Sequence, residues 1–224
     1  RIRNKAKEYR WILSRGKGVW DQDERPIRMA GSHTDITEKK EMEEKLEKLA
    51  YFDSLTLLPN RACFEKEFAE KYAKRQRICI VNVNVDDMKH INDLYGQEAG
   101  DEYLQYISRL MSEVFSEPDM VAHISGDQFA IFHVVEQEGD IVPKLDLLMQ
   151  NIRRPWKTNG DFLHVSASMG VAVYPEDGAE YSTLMHNAEI AMFHKKENKK
   201  DGYVFFERKM YEDTMKISQM NAQL

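Results

Sequence analysis

The chain has 224 residues, of which 42% are hydrophobic and 31% charged, so it can bury a core and has the composition of a soluble globular protein. Its formal net charge of −6 gives no reason to expect a nucleic-acid polymer as a partner. The two cysteines, Cys63 and Cys79, lack metal-site spacing and fit a reducing cytoplasm rather than a disulfide scaffold.

Targeting signals are missing from the sequence. No apolar run approaches the roughly 20 residues that span a bilayer, so we expect no direct membrane contact in this chain and a cytoplasmic location. The first residue is Arg1 and no secretory signal follows it, so we expect the chain to be part of a longer protein. A membrane anchor elsewhere in that protein stays open.

Residues 1–37 predict two strands separated by turns. Residues 9–14 alternate weakly between apolar and polar side chains, and residues 28–33 are a candidate second strand. Between them, residues 16–18 and 21–26 are rich in Gly, Asp and Pro, which is typical of turns. Two strands and a turn do not form a stable domain on their own.

Residues 38–52 predict a helix that links two parts of the chain. Asp35, followed three residues later by Glu38, has the pattern of a capping box, and no Gly or Pro interrupts the following run. Apolar residues recur in this run at a four-three spacing, at Met42, Leu46 and Leu49. The pattern leaves open a short parallel coiled coil between two copies and a solvated helix lying on its own domain.

The main domain, residues 53–206, begins with a helix and a strand. Asn60 is placed to N-cap a helix that runs through Phe64 and Phe68 toward Tyr72. Residues 78–85 then alternate as a strand does, with the valines on one face and the asparagines on the other: Val81, Val83 and Val85 against Asn82 and Asn84.

The remaining elements complete a familiar order. Gly96 and Gly100 predict a loop, and a helix then starts near Asp101 with one apolar side, formed by Leu104, Ile107, Met111 and Val114. The later elements are a hairpin over 121–132 with its tip at 125–128, a helix over 142–152, a long strand over 162–173, a helix over 181–194, a strand over 203–206 and a last helix. The order β-α-β-β-α-β predicts a ferredoxin-like arrangement in an α+β domain.

Two polar segments converge in this arrangement, because its first strand lies beside the central hairpin. We therefore expect the end of the first strand to neighbour the hairpin tip, which brings together Asn84, Val85, Asp86, Asp127 and Gln128. Acidic groups on adjacent strands hold hard cations such as Mg²⁺ beside nucleotide phosphates. Taken alone, Asp127 is more typical of turn chemistry than of a metal site.

Two lysines are candidate phosphate ligands. Lys196 and Lys200 lie four residues apart, beyond the helix predicted over 181–194, where their ammonium groups could reach the phosphates. Each lysine taken singly is more typical of a solvated surface charge.

The main domain resembles the GGDEF domain, the diguanylate cyclase family that condenses two GTP molecules to cyclic di-GMP. The matching stretches cover nearly all of residues 51–206 in the family's order: 53–61 (DSLTLLPNR), 86–93 (DDMKHIND), 95–96 (YG), 99–102 (AGDE), 125–129 (SGDQF), 168–172 (SMGVA) and 188–193 (AEIAMF). The resemblance implies a nucleotidyl-cyclase (palm-like) α+β fold, in which helices flank a central sheet that contains antiparallel strands.

The flanking segments resemble other signalling modules. Residues 1–37 resemble the last strands of a PAS sensor domain, on Trp11, Arg15, Gly16, Asp21, Pro26, Arg28, Gly31 and the triplet at 35–37. Residues 207–224 are polar with spaced apolar residues, at Met210, Met215, Ile217 and Leu224. In this family such a helix commonly leads into an EAL domain, a cyclic di-GMP phosphodiesterase.

The resemblance implies a Mg²⁺ site that is only partly kept. Asp127 keeps a metal carboxylate, and Val85 would offer its backbone carbonyl. Asn84 stands where the family has a metal-binding Asp, so a ligand without full charge should weaken the metal. Gln128 replaces the family Glu that is linked to metal binding and 3′-hydroxyl activation, and Gln cannot act as a general base. Ser125 adds a side chain where the family has Gly. We therefore expect Mg²⁺ to be weakly bound or absent.

The nucleotide-binding positions survive better. The resemblance makes Asn92 and Asp101 the pair that reads the guanine edge. It implies that the phosphates are bound by the backbone amides of Asp87, Met88 and Lys89 and by the ammonium groups of Lys196 and Lys200. It also implies that the backbone at Gly126 lies close to the nucleotide. Lys199 stands where a Gly is usual. Of the product-inhibition motif Arg-x-x-Asp only Asp119 remains, because Ser116 replaces the Arg.

Three functions remain open for such a module in bacterial signal transduction. The expected one is a degenerate GGDEF domain that binds GTP, has impaired cyclase activity, forms a homodimer through the linker helix and regulates a downstream EAL domain. The alternatives are a dimerisation module without ligand and a working diguanylate cyclase.

Overall fold

The structure is a computed structural model that describes residues 1–73, 77–158, 160–198 and 200–221. The predictions for Lys199 and Leu224, and for the side chains of Tyr72, Met215 and Ile217, lie outside the described residues. The chain divides into two units, Arg1–Ala50 (unit 1) and Tyr51–Leu224 (unit 2). Across the described ranges, no helix combines the length and the apolar character needed to cross a membrane.

Unit 1 consists of two antiparallel strand pairs and most of a helix. Strand β1 (Ile2–Arg3) pairs with β2 (Tyr9–Arg10), and β3 (Ile12–Trp20) pairs with β4 (Pro26–Asp35). The prediction of a turn at residues 16–18 is wrong, because these residues lie inside β3. Gly16 lies opposite Gly31 in the β3–β4 pair, and a Cβ at Gly31 would lie 2.6 Å from the Arg15 carbonyl oxygen. Glycine is therefore used here because the two strands approach closely, not because the chain turns.

The predicted linker helix is α1 (Thr37–Tyr51). Its start differs from the predicted capping box: Asp35 Oδ1 accepts a hydrogen bond from the Thr37 backbone N–H at 2.8 Å, two residues on rather than three. The apolar seam of α1 is exposed, with 58%, 59% and 63% of the surface of Met42, Leu46 and Leu49 accessible.

Unit 2 alternates helices and strands. Its elements are α2 (Arg61–Ala73), β5 (Ile78–Val85), α3 (Met88–Tyr95), α4 (Gln97–Val114), β6 (Met120–Ser125), β7 (Gln128–Val134), α5 (Ile141–Ile152), β8 (Trp156–Thr158), β9 (Asp161–Leu163), β10 (Ala167–Tyr174), α6 (Tyr181–Asn198), β11 (Gly202–Phe205) and α7 (Arg208–Asn221). The Asn60 side chain caps α2 as predicted, because its Oδ1 accepts a hydrogen bond from the Cys63 backbone N–H at 3.1 Å.

The central sheet of unit 2 has the strand order β11-β10-β5-β7-β6. Neighbours are antiparallel except β10 and β11, so the predicted ferredoxin-like α+β arrangement is confirmed, with one parallel edge strand added. One face of β5 buries its valines under α4 and α5, and the other buries Ile78 and Ile80 under α2 and α6. Asn82 and Asn84 therefore lie on the side of the sheet that α6 covers.

Three predicted elements are corrected. Residues 88–95 form helix α3, and Gly100 lies inside α4 rather than in a loop. The sequence did not predict α3 because its buried face, Met88 and Ile91, is too short to give a clear helical pattern. The long strand over 162–173 divides into β9, which pairs with β8, and β10, which pairs with β5. Helix α6 continues to Asn198, so Lys196 lies within the helix rather than beyond it.

Candidate functional site

The end of β5 meets the tip of the β6–β7 hairpin. Asn84 lies opposite Gln128 in the antiparallel register, and the Val85 backbone N–H donates to the Asp127 carbonyl at 3.0 Å. Gly126 turns the chain with φ of +55°, a conformation that Gly adopts without the steric cost of a Cβ. The structure therefore brings the two polar segments together, as the topology predicts.

The hairpin tip is supported from behind by His123, which the sequence reasoning missed. Its ring is buried, stacks on Phe129 at 4.6 Å, and bonds the Gly126 carbonyl through Nε2 at 2.9 Å. Its Nδ1 lies 2.9 Å from Asp53 Oδ1. Burial raises the pKa of Asp53, but the hydrogen bonds from His123 and Thr56 outweigh it and hold that pKa below its usual value. Asp53 is the first residue of a stretch, 53–61, that resembles the GGDEF family, but no local sequence pattern links it to a histidine 70 positions away.

Asn84 is buried and held by a lysine of α6. Lys196 Nζ donates to Asn84 Oδ1 at 2.5 Å, which joins two of the predicted site residues across 112 positions of sequence. The bond uses one of the three ammonium N–H donors, and the amide does not neutralise the charge. Lys196 as a whole remains partly exposed.

Asp86 is a buried carboxylate with two hydroxyl donors. Ser166 Oγ donates to its Oδ2 at 2.6 Å and Ser168 Oγ to its Oδ1 at 2.9 Å. The Asp86 backbone N–H also donates to the Ser166 carbonyl at 2.9 Å. Both carboxylate oxygens therefore tie β5 to the segment that enters β10.

The first turn of α3 presents backbone amides beside a second lysine. Asp87 precedes the helix with φ of +58°, so Met88 and Lys89 lie in the first turn, where amides have no partner within the helix. Lys200 Nζ donates to Asp87 Oδ1 at 2.6 Å, and this hydrogen bond raises the pKa of the lysine ammonium. A helix N-terminus beside an ammonium is a favourable place for phosphate oxygens.

The predicted guanine-reading pair lies where α3 and α4 cross. A Cβ added to Gly100 would come within 1.9 Å of Asn92 Oδ1, so the Asn92 amide lies directly over the α4 backbone. Asp101 is the next residue of α4 and is partly exposed. Gly100 thus permits a close approach of the two helices that carry the pair.

Asp119, predicted as the remnant of an inhibitory site, is buried and fully engaged. Its side chain is 1% exposed and lies 2.9 Å from His133 Nδ1 and 2.5 Å from Lys144 Nζ. The Val134 backbone N–H also donates to it, and His133 Nε2 bonds Asp140 on its other side at 2.9 Å. These partners leave no carboxylate oxygen for a ligand in this arrangement, and sequence reasoning had no signal for them.

Residues 50–202 match the family model described as "Diguanylate cyclase, GGDEF domain". The chain belongs to the GGDEF family. The bifunctional diguanylate cyclase/cyclic di-GMP phosphodiesterase MucR of Pseudomonas aeruginosa is 31% identical over 170 residues, which are 74% of this chain and 25% of that protein. The cyclic di-GMP phosphodiesterase PdeR of Escherichia coli is 27% identical over 208 residues, which are 92% of this chain and 32% of PdeR.

Solved GGDEF structures agree with the fold. A structure of TpbB from Pseudomonas aeruginosa that comprises only the GGDEF domain has a TM-score of 0.69 and 27% identity, covering 74% of this chain and 99% of that chain. The chain spans about a quarter of the length of the first curated relatives (23–25%). Residues 50–202 are therefore a GGDEF domain homologous to part of larger cyclic di-GMP signalling proteins.

Proposed function

We propose that unit 2 binds a guanine nucleotide as a regulatory ligand and has little or no diguanylate cyclase activity. The observation that carries the proposal is the buried Asn84 amide bonded to Lys196, at the position where the family resemblance expects a metal carboxylate. A site that keeps its phosphate-binding cation but has lost the charge at two of its three metal-ligand positions is suited to binding rather than to phosphoryl chemistry.

Impaired catalysis follows from the chemistry of two side chains. Gln128 cannot accept a proton, so it cannot act as the general base that activates a 3′-hydroxyl. Asn84 has no full negative charge for Mg²⁺. Losing one such electrostatic group commonly lowers kcat by about 10² or more, so both losses together leave little activity.

Nucleotide binding is supported by the groups that remain. Asn92 and Asp101 carry the amide and carboxylate that can pair with the guanine edge. The first turn of α3 offers backbone amides to phosphate oxygens. Lys196 bonds Asn84 in β5, and Lys200 bonds Asp87, the residue that precedes α3. Gly126 keeps the hairpin backbone open to close approach.

The proposed architecture assigns a role to each segment of the chain. Residues 1–37 end a PAS sensor domain, 38–52 form the linker helix, 53–206 form the GGDEF domain, and 207–224 lead to an EAL domain. The exposed seam Met42, Leu46 and Leu49 supports pairing of two copies through the linker, which would transmit a PAS signal to the cytoplasmic output domain. The same seam favours the second candidate, a dimerisation module without ligand.

Calorimetric titration of the chain with GTP in Mg²⁺ buffer, with ATP as control, tests the proposal. Micromolar GTP binding with ATP binding at least tenfold weaker is the expected result. No heat and no thermal stabilisation at millimolar GTP would reject nucleotide binding and favour the dimerisation module. A positive result justifies assaying the longer protein for GTP-stimulated phosphodiesterase activity.

Restoring the two carboxylates tests why catalysis is impaired. The double variant Asn84→Asp/Gln128→Glu should gain cyclic di-GMP synthesis, detected by chromatography, of at least about 10² over the parent chain. Each single variant serves as a control and should gain less. Synthesis by the parent chain at the rate of the double variant would contradict the proposal.

A further inference from the structure

We infer that the nucleotide site of unit 2 binds triphosphate without a divalent cation, because the Lys196 ammonium is bonded to Asn84, the position where the family resemblance expects a charged Mg²⁺ ligand. This inference rests on the proposed function and adds its metal dependence. It follows from three features of the site: the donor set, the charge and the position of the lysine.

The donor set does not fit Mg²⁺. This cation prefers near-octahedral oxygen ligands and is usually held by one or two carboxylates together with substrate phosphates. Asn84 offers a neutral amide oxygen that already accepts from Lys196, and Gln128 is neutral. Both Asp86 oxygens accept from serine hydroxyls. Asp87, whose side chain is 63% exposed, is paired with Lys200, so Asp127 is the carboxylate of the site without a cationic or hydroxyl partner among the contacts of the described residues.

The fixed charge of the site also changes the need for a metal. The charged side chains at its centre are Asp86, Asp87, Asp127, Lys196 and Lys200, and their formal charges sum to −1. With Asp at position 84 and Glu at position 128, as in the family pattern, the sum would be −3. A strongly acidic site needs a cation between itself and the phosphates. This site is less acidic, and it presents to them the Lys196 ammonium, which bonds a neutral amide, while Lys200 is paired with Asp87.

The position of Lys196 makes it a substitute for the metal rather than a nearby surface charge. Its Nζ is fixed 2.5 Å from Asn84 Oδ1 by a bond that uses one of three N–H donors, so two donors remain for phosphate oxygens. A carboxylate at position 84 would pair with the ammonium and reduce its charge toward a ligand. Asn84 instead orients the lysine and leaves its full charge free.

GTP titration in excess EDTA and again in millimolar Mg²⁺ tests the inference. We expect dissociation constants within about threefold of each other, since no metal is required. Lys196→Met should weaken GTP binding in EDTA by about tenfold or more, and Lys196→Arg should recover most of the loss because it keeps the charge. Lys195→Met is the matched control, since Lys195 lines a separate cleft with Arg153 and Asp201 and should leave binding unchanged.

The outcomes separate this inference from the function on which it rests. Binding that appears only with Mg²⁺, or binding that Lys196→Met does not weaken, overturns the inference while nucleotide binding stands. If the parent chain binds GTP neither in EDTA nor in Mg²⁺, both the proposed nucleotide binding and this inference are overturned. Asn84→Asp gives an independent check: its GTP affinity should fall in EDTA and recover with Mg²⁺, and equal affinity in both buffers would contradict the argument. The thermal midpoint of each variant, within a few degrees of the parent, shows that the fold is kept.

Discussion

His133 is the buried centre of a charged cluster, and replacing it with Gln should destabilise unit 2 most in mildly acidic solution. Its ring bonds Asp119 and Asp140, each at 2.9 Å. Burial alone would lower the pKa of His133, but the bonds to the two carboxylates outweigh it and raise that pKa. Burial alone would raise the pKa of each carboxyl, yet the His133 bonds outweigh it, lowering the pKa of Asp119 and bringing that of Asp140 to about 2.

These pKa shifts define the pH range of the effect. A raised folded-state pKa means that the contribution of His133 is present below its unfolded pKa of about 6.5 and is lost as pH rises through the folded value. Lowered carboxyl pKa values mean that the contributions of Asp119 and Asp140 are present above about pH 3.9 and are lost as pH falls through their folded values. The cluster is therefore most stabilising between about pH 4 and 6.5.

The size of the effect follows from burial. Removing one partner of a buried ion pair costs about 3–5 kcal/mol. In His133→Gln, Asp119 keeps Lys144 and the Val134 amide, and the Asp140 side chain is 25% exposed, so both stranded carboxylates are partly compensated. We therefore expect a loss near the lower end, about 3 kcal/mol at pH 5, which decreases toward pH 9. In a unit of this size that loss lowers Tm by about 6–12 °C at pH 5.

Urea unfolding at pH 5, 7 and 9 measures this loss. The chain has three tryptophans, so a Trp11→Phe/Trp20→Phe background leaves Trp156 to report on unit 2 alone. His164→Gln, at an exposed position, is the control and should change the unfolding free energy by less than about 0.5 kcal/mol. A His133→Gln effect below about 1 kcal/mol, or an equal effect at pH 5 and 9, would refute the charged cluster.

Three further substitutions separate site geometry, packing and assembly. Gly100→Ala places a Cβ 1.9 Å from Asn92 Oδ1, the movable end of a side chain, so we expect GTP affinity by calorimetry to fall about tenfold while Tm stays within a few degrees. Gly170→Ala places a Cβ 2.0 Å from the Ala188 carbonyl oxygen, which is backbone, so urea unfolding should show a loss of about 3 kcal/mol or more. Leu46→Glu in the exposed α1 seam should convert a dimer to a monomer in sedimentation velocity, and an unchanged sedimentation coefficient would contradict pairing through that seam.

The sequence predicts the framework of the site because the framework follows local periodicity and one topological rule. An apolar run that passes into Val/Asn alternation over 81–85 marks β5, and the β-α-β-β-α-β order places its end beside the hairpin. Helix α3 was missed because eight residues between a left-handed Asp87 and Gly96 carry too few apolar repeats to distinguish a helix from a loop.

The contacts that orient the site residues could not be predicted in the same way. Lys196 reaches Asn84, His123 reaches Asp53, and Asp119 meets His133 through pairings that span 14 to 112 positions, and no local pattern encodes such distances. The family resemblance named Asp119 as a ligand position, but the burial of that carboxylate depends on His133 and Lys144, which carry no motif.

The substitutions at the end of β5 and at the hairpin change charge without changing shape. Asn84 and Gln128 have nearly the size of the Asp and Glu that the family places there. The β5–β7 register and the Val85–Asp127 backbone bond are intact around them. Returning both carboxylates therefore adds two negative charges to a backbone that already holds those positions, and it also gives Lys196 a charged partner. If cyclase activity does not return while the variant gains Mg²⁺-dependent GTP binding, the remaining defect lies outside these two positions, and Ser125, which adds a side chain where the family has Gly, is the first residue to replace with Gly.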